Sequence, residues 1–333
     1  MAYSAIAVCT ALCAGLNYAA AAERATSSQT ITCAAIAQPF YGTLCAPPAL
    51  GRHAAIVLLG GSEGGDSMAH AAQLFARKGY VAASVAYFGA STLPSTLVNV
   101  PVEVVGNAVA ALRARPDVDQ NKIGIFGASR GGELALLAAS TYPDIHAVVA
   151  VVPSPYAFMG LGENDFPTGC AWSFQGKPLP SIEEDAVAGE RIGLSAARGE
   201  PLVLKNLYQQ SLDAAGSKAK DALFPLERIR GPVLCVAGSD DLMWNSGAHC
   251  RTTLAFLRMR QHPYDDAAVV YPSAGHTFIS ATRGPTSAVT EYSVGRMRIL
   301  LGGTRDGDAA AATDAWKRIW SFFSETLDNS VNR

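Results

Sequence analysis

Charge is scarce in this 333-residue chain: only 16% of residues are Asp, Glu, Lys or Arg, and the formal net charge is −2. No basic stripe marks a phosphate-binding face, which excludes nucleic acid as a partner, and no Lys/Arg cluster marks a polybasic membrane surface. Metal motifs are missing too. The 6 histidines show no H-E-x-x-H spacing and the 7 cysteines form no C-x-x-C pair, so neither a structural nor a catalytic zinc site is expected. Apart from a short N-terminal apolar run, itself too short to span a bilayer, no stretch approaches transmembrane length without meeting a charge or a breaker. With 49% hydrophobic residues the chain is not disordered, and 31 Gly and 18 Pro without a period exclude a collagen-like rod. What remains is a compact, nearly neutral protein with a sizeable core, the composition of an enzyme acting on a small molecule.

The N-terminus reads as a leader. A short apolar run from Ala5 to Leu16 precedes Ala20-x-Ala22, the small-residue pattern of a cleavage site, although no Lys or Arg precedes the run. Residues 1–22 are therefore expected to be a secretory signal peptide, and 23–333 one exported (periplasmic or secreted) domain; if the leader is not a functional signal, the protein is cytoplasmic. Setting aside Cys9 and Cys13 leaves Cys33, Cys45, Cys170, Cys235 and Cys250. Cys33 and Cys45 flank an expected hairpin and are placed to pair in an oxidising compartment. Cys235 lies in the apolar run Val233–Ala237 and reads as an inert core residue.

Apolar runs with strand character occur at Phe40–Ala46, Ala54–Leu59, Val81–Ala86, Lys122–Phe126, Ala147–Val152, Val233–Ala237 and Ala267–Tyr271. Most are continuous rather than alternating, as in strands covered on both faces of a parallel sheet. Between them lie helical patterns at Met68–Lys78, Val102–Arg115, Gly132–Ser140, Gly247–Arg260 and Ala309–Leu327. This alternation predicts an α/β fold with a mostly parallel central sheet flanked by helices, the first strand being an antiparallel edge. One connection, about 153–230, is far longer than a βαβ crossover and holds Pro/Gly clusters and a weakly amphipathic helix near Pro201–Ala215. It is expected to cap the site.

The most specific chemical signal is Gly127-Ala128-Ser129-Arg130-Gly131, which follows the strand ending in Phe126 and opens a helix. G-x-S-x-G in a strand-turn-helix context is a nucleophile elbow: tight glycines let the chain turn so that the Ser129 hydroxyl stands above the sheet. Downstream strands end in Gly238-Ser-Asp-Asp241 and in Gly275-His276. Ser, then acid, then His at successive strand ends is the α/β-hydrolase order, with Asp241 preferred as acid and Asp240 read as a turn residue. An oxyanion hole is expected from the amide of Arg130 and one in the loop Gly60–Gly65, where Ser62 and Glu63 are candidates. Trp172, Phe174 and Trp244 are candidates for lining an acyl pocket, with plain packing as the alternative. Glu133 reads as a first-turn carboxylate facing the helix dipole. His53, His70, His146, His249 and His262 lie on expected helices or loops and read as surface or capping residues.

With these residues placed, the chain resembles the C-terminal catalytic domain of the acyl-CoA thioesterase / bile acid-CoA:amino acid N-acyltransferase family over roughly 40–325. The motifs are Leu59-Gly-Gly-Ser-Glu-Gly-Gly65, Arg77-Lys-Gly-Tyr80, Ala86-Tyr-Phe-Gly89, Val100-Pro-Val-Glu103, the elbow through Leu136, Trp172-Ser-Phe-Gln-Gly-Lys-Pro-Leu-Pro180 and Gly302-Gly-Thr304. The resemblance implies a dienelactone-hydrolase-like α/β-hydrolase with Ser129 as nucleophile, Asp241 as orienting acid and His276 as base, cleaving a small acyl thioester or ester without a cofactor. Conjugating members of the family use cysteine as nucleophile, so serine favours hydrolysis. An exported carboxylesterase and an acyl-CoA:amino acid N-acyltransferase are the alternatives.

Overall fold

The computed structural model describes residues 30–163, 166–280, 290–294 and 297–328; the expected leader lies outside them. Eight strands build the central sheet: β1 (Thr32–Ile36), β2 (Tyr41–Ala46), β3 (His53–Leu59), β4 (Val81–Ala86), β5 (Val118–Ala128), β6 (Ala147–Val151), β7 (Val233–Gly238) and β8 (Ala267–Tyr271). Their order is β1-β2-β4-β3-β5-β6-β7-β8. β1 and β2 pair antiparallel, as do β2 and β4, and every other neighbour in the sheet is parallel. The helices are α1 (Ala69–Arg77), α2 (Glu103–Arg113), α3 (Arg130–Thr141), α4 (Ala186–Ala197), α5 (Leu204–Ala215), α6 (Ala219–Ala222), α7 (Ser246–Met259) and α8 (Arg305–Phe323).

The two-residue period of a strand divides the core. Ala55, Val57 and Leu59 of β3 face α2 and α3, packing with Val105, Leu112 and Leu134. Ile56 and Leu58 face the other side, with Phe75 of α1 and Ile319 and Phe323 of α8. Both faces are covered, which is why these strands read as unbroken apolar runs. Phe75 anchors the second layer, its ring meeting those of Phe126, Trp316, Trp320 and Phe323 at centroid distances of 4.6–6.2 Å.

Between β6 and β7 the chain makes short strands and then α4 to α6. Met159–Leu161 pairs with Pro167–Cys170, and Trp172–Phe174 runs parallel to Val100–Pro101, so this segment is stitched to the body ahead of α2. Its own apolar cluster gathers Phe158, Ile182, Leu207 and Tyr208 around Trp244, the last contributed by the loop after β7.

Three expectations are corrected. Cys235 is not an inert thiol: it forms a disulfide with Cys250, joining β7 to α7. His53 is the first residue of β3 rather than a loop residue, and its ring nitrogens meet the carbonyls of Gly79 and Ala49. His249 is neither surface nor cap; it is buried in α7 with Nδ1 3.2 Å from the Pro153 carbonyl. The Cys33–Cys45 disulfide is present between residues directly opposed in the β1–β2 register. Among the described residues no helix is long and apolar enough to cross a membrane, and no group of three or more His, Cys, Asp or Glu gathers where a metal ion could be held.

Candidate active site

β5 ends and α3 begins at a single residue. Ser129 sits there at φ 57° and ψ −122°, a conformation that costs a non-glycine residue of order 1–3 kcal/mol. The flanking glycines make the turn possible. A Cβ on Gly127 would lie 2.0 Å from the Gly131 carbonyl oxygen, and one on Gly131 would lie 2.1 Å from that of Gly60. Only bare backbone lets the strand reverse into the helix while the loop after β3 closes over it.

The loop after β8 brings His276 to this turn. Its Nε2 is 2.8 Å from Ser129 Oγ and its Nδ1 is 2.8 Å from Asp241 Oδ2. With Nδ1–H donated to the carboxylate, Nε2 is left to accept the serine proton. Asp241 and His276 are buried, at 1% and 6% exposure. The aspartate is fixed from several sides: Oδ1 accepts the amides of Met243 (2.9 Å) and Trp244 (3.2 Å), and Oδ2 accepts the Ser246 hydroxyl. Asp240 points elsewhere, exposed and accepting from Ser239 Oγ at 2.7 Å. The segment leading into α8, together with the first turn of α8, braces both loops. Leu301 O accepts the His276 amide at 2.8 Å, Asp241 bridges to Gly302, and Asp308 Oδ1 accepts the Gly275 amide at 2.7 Å.

Beneath the turn lies a buried ion pair. Arg130 Nη1 donates to Glu133 Oε2 at 2.9 Å, with side-chain exposures of 3% and 0%. The other arm of Arg130 donates to Met159 O at 2.9 Å and to the Tyr208 hydroxyl at 3.0 Å, and its guanidinium faces the Tyr208 and Trp244 rings. Glu133 Oε1 accepts Trp172 Nε1 at 2.6 Å and the Phe158 amide at 3.1 Å. Burial pushes the Glu133 carboxyl upward, against the Arg130 charge and these donors, which pull it back. Glu133 is thus a tie between α3 and the 153–230 segment rather than a solvent-facing dipole residue. Arg130 and Glu133, three apart on an otherwise apolar helix, were the available signal for it.

The candidate pocket residues also change meaning. Trp172 is fully buried, its ring against Tyr87 and its indole N–H on Glu133, so it offers no surface to a substrate. Trp244 is buried as well, its N–H on the Val152 carbonyl at 2.9 Å and its ring edge-on to His276 at 5.8 Å. Phe174 lines a groove of about 640 Å³ with Leu137, Ser140 and Thr141 of α3. At about 1.5 Å per residue, that wall lies some 12–18 Å along the helix from Ser129. Arg130 heads α3, where the first backbone amides have no intrahelical partner. Gly61 leans on the elbow, for a Cβ there would be 3.3 Å from Ser129 Cβ; Ser62 follows it, and Glu63 is exposed with Oε2 folded back toward Gly61.

The comparisons with known proteins agree with this architecture. Acyl-coenzyme A thioesterase 6 of Mus musculus is 30% identical over 294 residues, covering 86% of this chain and 63% of that protein. Acyl-coenzyme A thioesterase 1 of Homo sapiens is 28% identical over 291 residues, covering 86% and 63%. The chain therefore spans less than two thirds of the length of these relatives. Among solved structures, a dienelactone hydrolase-like promiscuous phosphotriesterase from metagenomic libraries superposes with a TM-score of 0.54 at 18% identity, covering 90% of this chain and 99% of that one. A dienelactone hydrolase from Klebsiella pneumoniae gives 0.52 at 16% identity, covering 89% and 99%. At those identities the likeness is one of fold. The family described as BAAT / acyl-CoA thioester hydrolase C terminal matches residues 100–329, and the chain belongs to that family.

Proposed function

We propose that this protein is a serine hydrolase that cleaves acyl thioesters, with Ser129 as nucleophile, His276 as general base and Asp241 as the acid that orients it. The observation that carries the reading is the hydrogen-bonded chain Asp241–His276–Ser129, 2.8 Å at each step, ending on a serine held at positive φ. His276 Nε2 takes the hydroxyl proton as Ser129 Oγ attacks the acyl carbonyl. The tetrahedral oxyanion is stabilised by the Arg130 amide at the head of α3 and by an amide of the loop after β3. Collapse expels the thiolate, which takes the proton from His276. Water, deprotonated by the same imidazole, then attacks the acyl-serine and releases the acid.

Acyl-CoA is the favoured substrate class, because relatives over most of the chain are named for that activity, and hydrolysis is favoured over transfer because the nucleophile is serine, not cysteine. Residues 153–230 serve as a cap tied to α3 by Arg130 and Glu133. A second reading, carboxylic ester hydrolysis after export, is favoured by the two disulfides, which persist in oxidising compartments where free coenzyme A is scarce. Thiol release from acyl-CoAs of increasing chain length, run beside short aryl esters with wild type and Ser129→Ala, tests both. Release that prefers one chain length and vanishes in the variant supports the thioesterase. Ester turnover with no release from any acyl-CoA supports the second reading, and full activity in Ser129→Ala removes both.

A further inference from the structure

Tyr87 follows β4 directly and is buried, its ring packed between Phe88 and Trp172 at centroid distances of 5.3 and 5.8 Å. Its hydroxyl donates to the Gly60 carbonyl at 2.8 Å and shares that proton with the Gly61 carbonyl. Two consecutive carbonyls of the loop after β3 therefore converge on one phenol oxygen. In a trans peptide, the C=O of one residue and the N–H of the next point in opposite directions. The amides of Gly61 and Ser62 are thereby turned away from Tyr87. Burial, and next the nearby Glu63 charge, raise the phenol well above its ordinary range, so it remains a donor at neutral pH.

The nucleophile elbow abuts the same loop. A Cβ on Gly61 would lie 3.3 Å from Ser129 Cβ and 3.7 Å from the Ala128 carbonyl oxygen, and Gly131 leaves room for the Gly60 carbonyl. Tyr87 is itself anchored, because the Trp172 ring beside it is tied through its N–H to Glu133. The loop is thus held by a fixed phenol and by the nucleophile turn, with its Gly60 and Gly61 carbonyls committed to the phenol.

We infer that Tyr87 is a positioning residue for the oxyanion site: by holding the Gly60 and Gly61 carbonyls it aims the amides of Gly61 and Ser62, rather than that of Glu63, toward the acyl oxygen. This rests on Ser129 being the nucleophile. Tyr87 touches no substrate atom; it acts through two peptide groups. Its hydroxyl matters most in the transition state, where the acyl oxygen becomes an anion.

The test is Tyr87→Phe, with wild type and Ser129→Ala alongside, in thiol release and in inhibition by an acyl trifluoromethyl ketone, which forms a tetrahedral oxyanion on the enzyme. Rates are expressed per site titrated with a fluorophosphonate run to completion, so that any misfolded fraction drops out. Removing an oxyanion donor outright costs about 100–1,000-fold, and a misaimed donor less, so kcat is expected to fall roughly 10–100-fold. KM stays within about twofold, and ketone affinity falls by the same factor as kcat. A kcat within about twofold of wild type, a loss confined to KM, or a fall in kcat with ketone affinity unchanged would overturn the assignment. If Ser129→Ala is inactive and Tyr87→Phe is unimpaired, only the role of Tyr87 fails; if Ser129→Ala keeps its activity, the nucleophile itself was misread.

Discussion

Glu133→Ala removes one half of an ion pair that has no access to water. The Arg130 guanidinium would be left with only Met159 O and the Tyr208 hydroxyl as acceptors, and the Trp172 indole N–H and Phe158 amide would lose the carboxylate they share. Because the two side chains are 3% and 0% exposed, solvent does not discount the interaction. Stranding one member of such a pair costs about 3–5 kcal/mol. Each orphaned donor adds roughly 1–3 kcal/mol before relaxation, which places the loss toward the top of that range. Urea unfolding followed by far-UV circular dichroism measures it as a shift in midpoint at constant slope. Indole fluorescence is a poor probe here, since Trp172 and Trp244 belong to the network. The decisive control is the paired replacement Arg130→Met with Glu133→Leu. Buried ion pairs exchanged for apolar groups of similar volume are often neutral or stabilising, by about 1–4 kcal/mol. The double variant should therefore recover the part of the loss that comes from the stranded Arg130 charge, while the Trp172 and Phe158 donors stay unpaired in both variants. A single-variant loss under about 1 kcal/mol, or a double variant no better than the single, would refute the uncompensated-charge argument.

Three further outcomes follow from the same contacts. Asp241→Asn should lower kcat by about 10,000-fold, as loss of the orienting carboxylate does in a serine triad, while Asp240→Asn leaves thiol release near wild type; a reversal in steady-state assays would exchange their roles. Burial lowers His249 from an ordinary 6.5 to about 4, so its neutral form is favoured in the folded state. That depressed value contributes stability above pH 6.5 that is lost as pH falls toward 4, by roughly 3 kcal/mol, and His249→Gln should flatten this part of the urea-midpoint profile. Cys235 and Cys250 close a loop of sequence separation 15, so Cys235→Ala should cost about 3 kcal/mol by chain entropy, and an unchanged midpoint in the oxidised protein would argue against the bond.

Most of the central strands were legible because they are short, largely apolar runs closed within a residue or two by Gly or Pro. β1 was not: Thr32–Ile36 is largely exposed on the sheet edge and carries no core signal. α4 escaped for a similar reason, since Gly189 and Gly193 interrupt it and only Ala188 is buried. The two-to-four-residue strands of the 153–230 segment are too short to show a period. In the candidate site, Ser129, Asp241 and His276 could be named from motif and chain order because each sits at a strand end. Tyr87 could not, because its contribution is a hydrogen bond to backbone carbonyls, which leaves no trace in residue type. The Cys235–Cys250 bond was hidden likewise: one partner lies in a strand and the other on a helix face, and nothing in their spacing relates the two.

The most direct test of the account is covalent: incubate the folded protein with a fluorophosphonate, digest it, and locate the adduct by mass, using wild type and His276→Ala. The account predicts one rapidly formed adduct on Ser129, slowed at least about 1,000-fold when the imidazole is removed. An unlabelled Ser129 in folded protein, or labelling at the wild-type rate without His276, would contradict it.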